Sequence, residues 1–425
     1  MENYSRATKG ITATLFATQS LGRAAFIAIG TVSAIVGAEL SSPAWAGVPS
    51  AVLSVGAAFG ALAVGAATDR IGRRWGFALG LVVGVLGAGL AVGAIATSTL
   101  ALFLAGFVLM GVASAAIQLG RFAAAEVHAP ENRGRAISNV VIGGTVGAVL
   151  GPLLVGPSGR WALQAGMNEL AGPFLVALVI LALAALATSA GLRPDPRDLG
   201  REIAKRYPET VVHHGPTRSI SRILRSPPAF VAVSAMVFGQ IVMVMLMAMT
   251  SLHMVNSQHA LADISVVISA HAFGMFAFSF LSGRLTDRWG RGPVILGGAG
   301  ILVLASLLAP LSEGVVPLSI ALFLLGLGWN LSYVAGSTLL SDQLSPAERA
   351  KTQGTNDMLI GLATAAASLG SGLLFAVTGY IGTAVVSGVA SLLLLALTGW
   401  WLAKERRNAA ASPQSPCPES LALGT

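Results

Sequence analysis

The sequence predicts an all-α membrane protein of twelve transmembrane helices, arranged as two pseudo-symmetric six-helix bundles. Three observations predict it: a composition too apolar for water, apolar runs of membrane length, and a charged loop that recurs half a chain later. Of 425 residues, 54% are hydrophobic and only 10% charged, where a soluble domain carries about 25% charged residues. Such a chain cannot cover itself with a polar surface, so lipid is its solvent and its surrounding partner.

About twenty apolar residues at about 1.5 Å each cross a hydrocarbon core of roughly 30 Å as a helix. Runs of this kind lie at 11–39, 46–67, 75–97, 100–124, 136–157 and 170–192, and again at 228–252, 264–283, 293–311, 315–340, 353–378 and 381–403. The longest polar stretch, rich in Arg, Pro, Asp and His, divides them. The expected organisation is an N-terminal bundle at 1–192, a linker at 193–227, a C-terminal bundle at 228–403 and a polar tail at 404–425.

The formal charge of +8 does not point to nucleic acid, because the basic residues sit in loops rather than on one face. If the spans alternate, only Arg160 of the 26 Lys and Arg falls on the opposite side. The positive-inside rule then places both termini in the cytoplasm, and a bacterial inner membrane is the expected location. The first helix lacks a small-residue cleavage site and reads as retained rather than as a signal peptide. Cys417, the single cysteine, allows no intramolecular disulfide.

The repeat fixes the two-bundle reading. Gly65-Ala-Ala-Thr-Asp69-Arg70-Ile-Gly72-Arg73-Arg74 follows helix 2, and Gly283-Arg-Leu-Thr-Asp287-Arg288-Trp-Gly290-Arg291 follows helix 8, 218 residues later. A second echo pairs Pro130-Glu131-Asn-Arg133 with Pro346-Ala-Glu348-Arg349, its arginines 216 residues apart. Two loops repeating at nearly one period mark an internal duplication. The G-x-x-x-D-R-x-G-R-R loop resembles the signature of the major facilitator superfamily, and the layout of spans matches it over almost the whole chain. That resemblance implies the major facilitator fold: two bundles rocking about a midplane site in alternating access. Asp69, Arg70 and Arg73, with Asp287, Arg288 and Arg291, are then gate residues, whose charges are expected to pair with the neighbouring bundle and hold one conformation shut.

Helix 7 concentrates methionine: Met236, Met243, Met245, Met247, Met249 and Met254 are six of the chain's eleven. Met243 and Met247 share a helix face, as do His271 and Met275 on helix 8. If helices 7 and 8 are antiparallel neighbours, Met247 lies level with His271 and Met243 with Met275, so four ligands converge. Thioether and imidazole without carboxylate favour Cu(I) over harder cations. His253, Met254 and His259 at the outer end of helix 7 are candidates for metal entry. Methionine as a flexible filler of a moving helix is the plain alternative.

The pair M-x-x-x-M and H-x-x-x-M is similar to that of the CcoA-like copper importers. The resemblance implies copper as the transported substrate, imported to supply haem-copper oxidase assembly, with no permanently bound cofactor and a cytoplasmic copper chaperone as recipient. This chain departs from the branch in offering no cysteine but Cys417 for cytoplasmic hand-off. Close relatives of that branch carry riboflavin or other solutes, and the sequence holds material for such a cargo. Arg23 falls inside helix 1, one turn from Gln19; as an intramembrane charge it is a functional candidate, lining a site or pairing with a group such as Asp357. Trp329, Asn330 and Tyr333 on helix 10 offer an aromatic and amide lining.

Helix 5 carries Gly143, Gly147, Gly151-Pro152 and Gly156, similar to the glycine-proline motif of drug-proton antiporters, or a stripe that merely lets helices approach. Glu39, Glu126 and Asp357 sit toward helix ends, which speaks against an antiporter reading. No phosphate-binding loop, C-x-x-C or H-E-x-x-H is present, so the residues point to a carrier rather than to a pump or an enzyme.

Overall fold

The computed structural model describes residues 2–129, 132–206 and 218–411. Pro130 and Glu131 of the second echo, and Cys417 in the tail, lie outside the described residues. The rest is helical, with no strand among the described residues. In lipid this is the expected solution, because a helix satisfies its own backbone where no water can.

The first half comprises α1 (Glu2–Glu39), α2 (Val48–Ile71), α3 (Arg73–Ala96), α4 (Leu100–Glu126), α5 (Arg133–Leu153), α6 (Val155–Gln164) and α7 (Ala171–Gly191). The linker forms two short helices, α8 (Pro196–Arg206) and α9 (Ile220–Leu224). The second half comprises α10 (Pro227–Asn256), α11 (Leu261–Phe276), α12 (Ser279–Trp289), α13 (Arg291–Leu308), α14 (Val315–Asp342) and α15 (Pro346–Ala411).

Ten helical stretches among the described residues are long and apolar enough to cross a membrane, and the pair α5 and α6, bent by 43°, makes an eleventh. The last stretch, Thr352–Asn408, runs for 57 residues, nearly three times what a bilayer core of about 30 Å requires. Gly379, at φ 67° and ψ −162°, interrupts it. Each arm is one span, and the count is twelve.

Two predicted spans are less regular than expected. Span 5 bends at Leu154 just after Pro152, whose ring removes a helical hydrogen bond. Span 8 is not one helix but α11 and α12, parted at Ala277 and Phe278. The glycine stripe of α5 is packing: a Cβ at Gly143, Gly147 or Gly151 would strike the backbone of α1 at Phe16, Ser20 or Ala24.

The apolar core is laid out unevenly. At the end opposite the charged loops, one cluster fuses the halves, uniting Ile29, Val32 and Ile35 of α1 with Leu246 and Met249 of α10 and Ile264 and Ile268 of α11. At the charged end there are two separate cores, one around Leu15, Phe77 and Val140 and one around Ala232, Ile295 and Leu339. Backbone contacts reinforce the fused end: the Ser368 hydroxyl donates to the Gly47 carbonyl at 2.8 Å, and a Cβ on Gly156 would lie 3.1 Å from Ala262. The halves therefore meet at one end and part toward the other.

Candidate substrate cavity

The two charged loops are built alike. Gly72 and Gly290 adopt φ 91° and 89°, a region that disfavours a Cβ, and each turns one helix directly into the next. In the first half the Arg73 guanidinium donates to Glu126 at 2.7 and 3.1 Å and to Asp69 at 2.7 Å. In the second, Arg291 donates to Asp342 at 2.8 Å and lies 4.0 Å from Asp287. Asp195 accepts from the backbone N–H groups of Arg73 and Arg74, both at 3.1 Å, a carboxylate at the helix start where the dipole favours one. Arg70 and Arg288 are exposed.

The expectation that these loops pair with the opposite bundle is corrected: each described ion pair of Asp69, Arg73, Asp287 and Arg291 stays within its own half. The physical reason is the gap, since the cores on this side are separate.

Between the halves on the charged side lies a cavity of about 440 Å³, walled by Ser54 and Ala58 of α2, Gln118 and Arg121 of α4, and Asp357 and Gly361 of α15. Arg121 reaches across it to Asp357 at 3.7 Å. Asp357, one of the partners considered for Arg23, is taken by Arg121. Arg23 makes no hydrogen bond or ion pair among the described residues. Its guanidinium sits 5.9 Å from the centre of the Phe276 ring, on the other half, so its exposed surface faces the space between the halves rather than lipid.

Around Arg23 the second half supplies an aromatic wall. Trp329 and Tyr333, one turn apart on α14, stack at 4.9 Å with their planes 20° apart. Phe276 meets Trp329 edge-on at 6.5 Å, and the Trp329 N–H donates to the Gln240 side-chain oxygen at 3.0 Å. Tyr333 lies within electrostatic reach of Arg23, Arg121 and Asp357. Gln19, half-buried, lies against Gly144 of α5, 3.2 Å from where a Cβ would be.

Asn330 is buried and bonded at both ends of its amide. Its amide N–H groups donate to the Met275 carbonyl at 2.6 Å and the Ser279 hydroxyl at 2.8 Å, and its oxygen accepts from Ser282. It fastens the break between α11 and α12 to α14, and its burial keeps it from facing a solute.

The methionine and histidine set is partly assembled. The assumption that α10 and α11 are close neighbours is corrected: α10 packs chiefly on α14 and α15, and α11 on α14 and across to α5. Even so, Met243, Met247 and Met275 gather in one apolar cluster with Trp329 and Phe276. His271 is fully buried, its Nδ1–H donating to the Leu322 carbonyl at 3.0 Å, while its Nε2 has no partner among the described residues. The entry trio is engaged elsewhere. His253 stacks on Tyr380 at 4.4 Å, Met254 is fully buried in the fused core, and a ring N–H of His259 donates to the Glu313 carbonyl at 2.7 Å. Among the described residues no group of three His, Cys, Asp or Glu is placed to hold a metal.

Sequence reasoning did not find the Arg121 to Asp357 bridge, the Gln240 contact, or Glu126 and Asp342 as the partners of Arg73 and Arg291. Those two acids carried a signal, lying 216 residues apart, the same offset as the second echo. Gln240 carried the signal that marks Asn330, a polar side chain inside an apolar run, whereas Phe276 carried none.

The sequence model of the Major Facilitator Superfamily matches residues 13–260 and 234–416. The chain is 37% identical over 388 residues to an uncharacterized MFS-type transporter, YdeG of Bacillus subtilis, covering 90% of this chain and 89% of that one. It is 30% identical over 364 residues to the riboflavin transporter RfnT of Brucella anthropi, covering 85% and 88%. Among solved structures it is similar to a bacterial homolog of the human lysosomal transporter Spinster in an inward-facing, unoccupied conformation, with a TM-score of 0.70, 16% identity and 97% and 99% coverage. The nucleoside transporter NupG gives a TM-score of 0.66 at 16% identity, covering 93% and 99%; both show the fold alone. With its duplicated loop, twelve spans and parted halves, the chain belongs to the Major Facilitator Superfamily, a multi-pass secondary transporter and not an enzyme.

Proposed function

We propose that this transporter carries a small, planar organic solute of the riboflavin kind by alternating access across a bacterial inner membrane, with both termini cytoplasmic. The observation that carries the reading is the aromatic wall of Trp329, Tyr333 and Phe276 facing Arg23 across the boundary of the halves. Stacked rings give a flat solute apolar area with defined orientation, and Gln240 holds the indole in place. The likeness to a riboflavin transporter supports the same class. With the charged loops in the cytoplasm, the fused end is the outer one, and the conformation is open inward.

A second reading, copper import, is favoured by one observation: the bare Nε2 of His271, a turn from Met275 in a chain where Met243, Met247 and Met275 already cluster. An imidazole nitrogen with methionine sulfurs is a set for Cu(I). The nearby Arg23 cation opposes it, because a fixed positive charge raises the energy of an arriving metal ion.

Uptake of radiolabelled riboflavin and of radioactive copper into cells expressing matched amounts of wild type, Trp329→Ala, His271→Ala and Met243→Ala separates the readings. Riboflavin uptake lost in Trp329→Ala and retained in the other two supports the organic cargo. Copper uptake abolished by His271→Ala and Met243→Ala replaces it with the metal, and no riboflavin uptake by wild type refutes the flavin assignment.

A further inference from the structure

The linker is not held alike at its two ends. At the first half α8 buries Leu199 and Ile203, and Asp195 accepts from the backbone of α3. At the second half α9 has only 5 residues and buries Ile223. At about 100° per residue, Ile220, Ile223 and Leu224 fall on one side of α9, and Arg222 and Arg225 on the other, three apart and therefore neighbours. Both arginines are exposed and make no ion pair among the described residues. Arg218 is already committed to Glu348, and the sequence holds no acid from Arg218 to Ala262.

Beside these arginines lies an apolar groove of about 310 Å³, lined by Leu224 of α9, Phe230, Val233 and Val237 of α10 and Leu359 of α15, with Ser234 the one polar side chain in its lining. Helix α10 starts at Pro227, two residues after Arg225. Phe230 is therefore about one turn below the arginines, and Val237 about 10 Å deeper along the helix. The groove opens toward lipid and not toward the substrate cavity, with which it shares no lining residue. Asp357 faces that cavity, and Leu359, two residues on, lies about 200° further round the same helix.

We propose that this groove holds an acyl chain of an anionic phospholipid from the leaflet on the charged-loop side, with the lipid phosphate held by Arg222 and Arg225. Each part of the lipid meets its complement. The chain replaces apolar contacts that the groove leaves unmade, and guanidinium groups bind phosphate oxygens through paired N–H bonds. The arginine stems lie along apolar surface while their heads stay at the interface. A zwitterionic lipid brings a cation to the same two arginines and loses most of the attraction. The bound lipid joins α9 to α10 and α15, and so does for this end of the linker what Leu199, Ile203 and Asp195 do for the other. The site lies wholly in the second half and is independent of the cargo.

The test uses the purified full chain in a neutral detergent with two probes, a phosphatidylglycerol and a phosphatidylcholine of identical chains, each carrying a photoreactive diazirine on one chain. After illumination, peptide mass spectrometry locates the adducts. In wild type the phosphatidylglycerol adduct is expected within residues 224–238 or at Leu359, with a yield at least about tenfold that of phosphatidylcholine at equal concentration. Changing both Arg222→Gln and Arg225→Gln should bring the two yields level, and Val233→Trp, which fills the groove, should remove both adducts from these residues. An excess of glycerol 3-phosphate should leave the adduct in place; its loss would assign the arginines to a free phosphate and overturn the lipid site. Equal yields from the two probes in wild type, or adducts spread over the lipid-facing helices without preference for the groove, also overturn it. These wild-type outcomes stand whether or not each variant folds.

Discussion

Glu348 shows how one carboxylate holds a loop. Its side chain is 3% accessible and accepts from the Arg218 backbone N–H at 2.8 Å and from its guanidinium at 2.9 Å through each oxygen. Arg218 holds the carboxyl well below the usual carboxylate range. A carboxylate depressed on folding contributes stability that is complete above its unfolded value, about 4.3, and is lost as pH falls below that. Between pH 6 and 3, the thermal midpoint in detergent should therefore fall further for wild type than for Glu348→Gln; equal slopes would deny the clasp its role. Asn330 gives the complementary case. Asn330→Leu strands the Met275 carbonyl and two hydroxyls, and should lower stability by about 2–3 kcal/mol in chemical unfolding. At this scale the sequence was a partial guide. It singled out Asn330, Arg23 and His271 because polar side chains in apolar runs are conspicuous, but could not show that Asn330 is spent on a helix break while Arg23 is free. That difference lies in partners 48 or more residues away.

Helix α15 carries a backbone prediction. A Cβ at Gly379 would touch nothing within 4 Å, yet its φ of 67° is a left-handed one. Gly379→Ala should cost about 1–2 kcal/mol from backbone alone, whereas Gly370→Ala, equally uncrowded but helical, should be neutral or stabilise by up to about 1 kcal/mol. Thermal unfolding of the two variants side by side checks the opposite signs. Of the elements, the spans were legible because a run of about twenty apolar residues has one physical meaning. The break at Ala277 and Phe278 was not, because hydropathy is blind to a helix that stops inside an apolar run. Nor was the order of helices in the bundle. Antiparallel succession suggested that α10 and α11 touch closely, whereas the second half folds α14 between them.

Across the whole molecule, the contact of Gly47 with Ser368 is one of the points that join the halves at the fused end. Gly47→Val places carbon against the Ser368 carbonyl and should pry the fused end open. With Cys417 replaced by Ser, a cysteine introduced at Ala44 should label faster with a water-soluble maleimide in the Gly47→Val background, by about tenfold, and transport should fall. Unchanged labelling would mean that the lock lies elsewhere. The duplication that made this architecture readable is deep: Arg73 with Glu126 and Arg291 with Asp342 are one device built twice.

The fused core has a thermal consequence. Opening that end would bring the side chains of Ile29, Val32, Leu246 and Ile268 into water, and hydrating apolar surface raises heat capacity. The enthalpy of the conformational switch must then change with temperature, so its rate will not follow a straight Arrhenius line. Cooling weakens the cohesion of the core, and the cold transporter will spend more of its time with the fused end ajar.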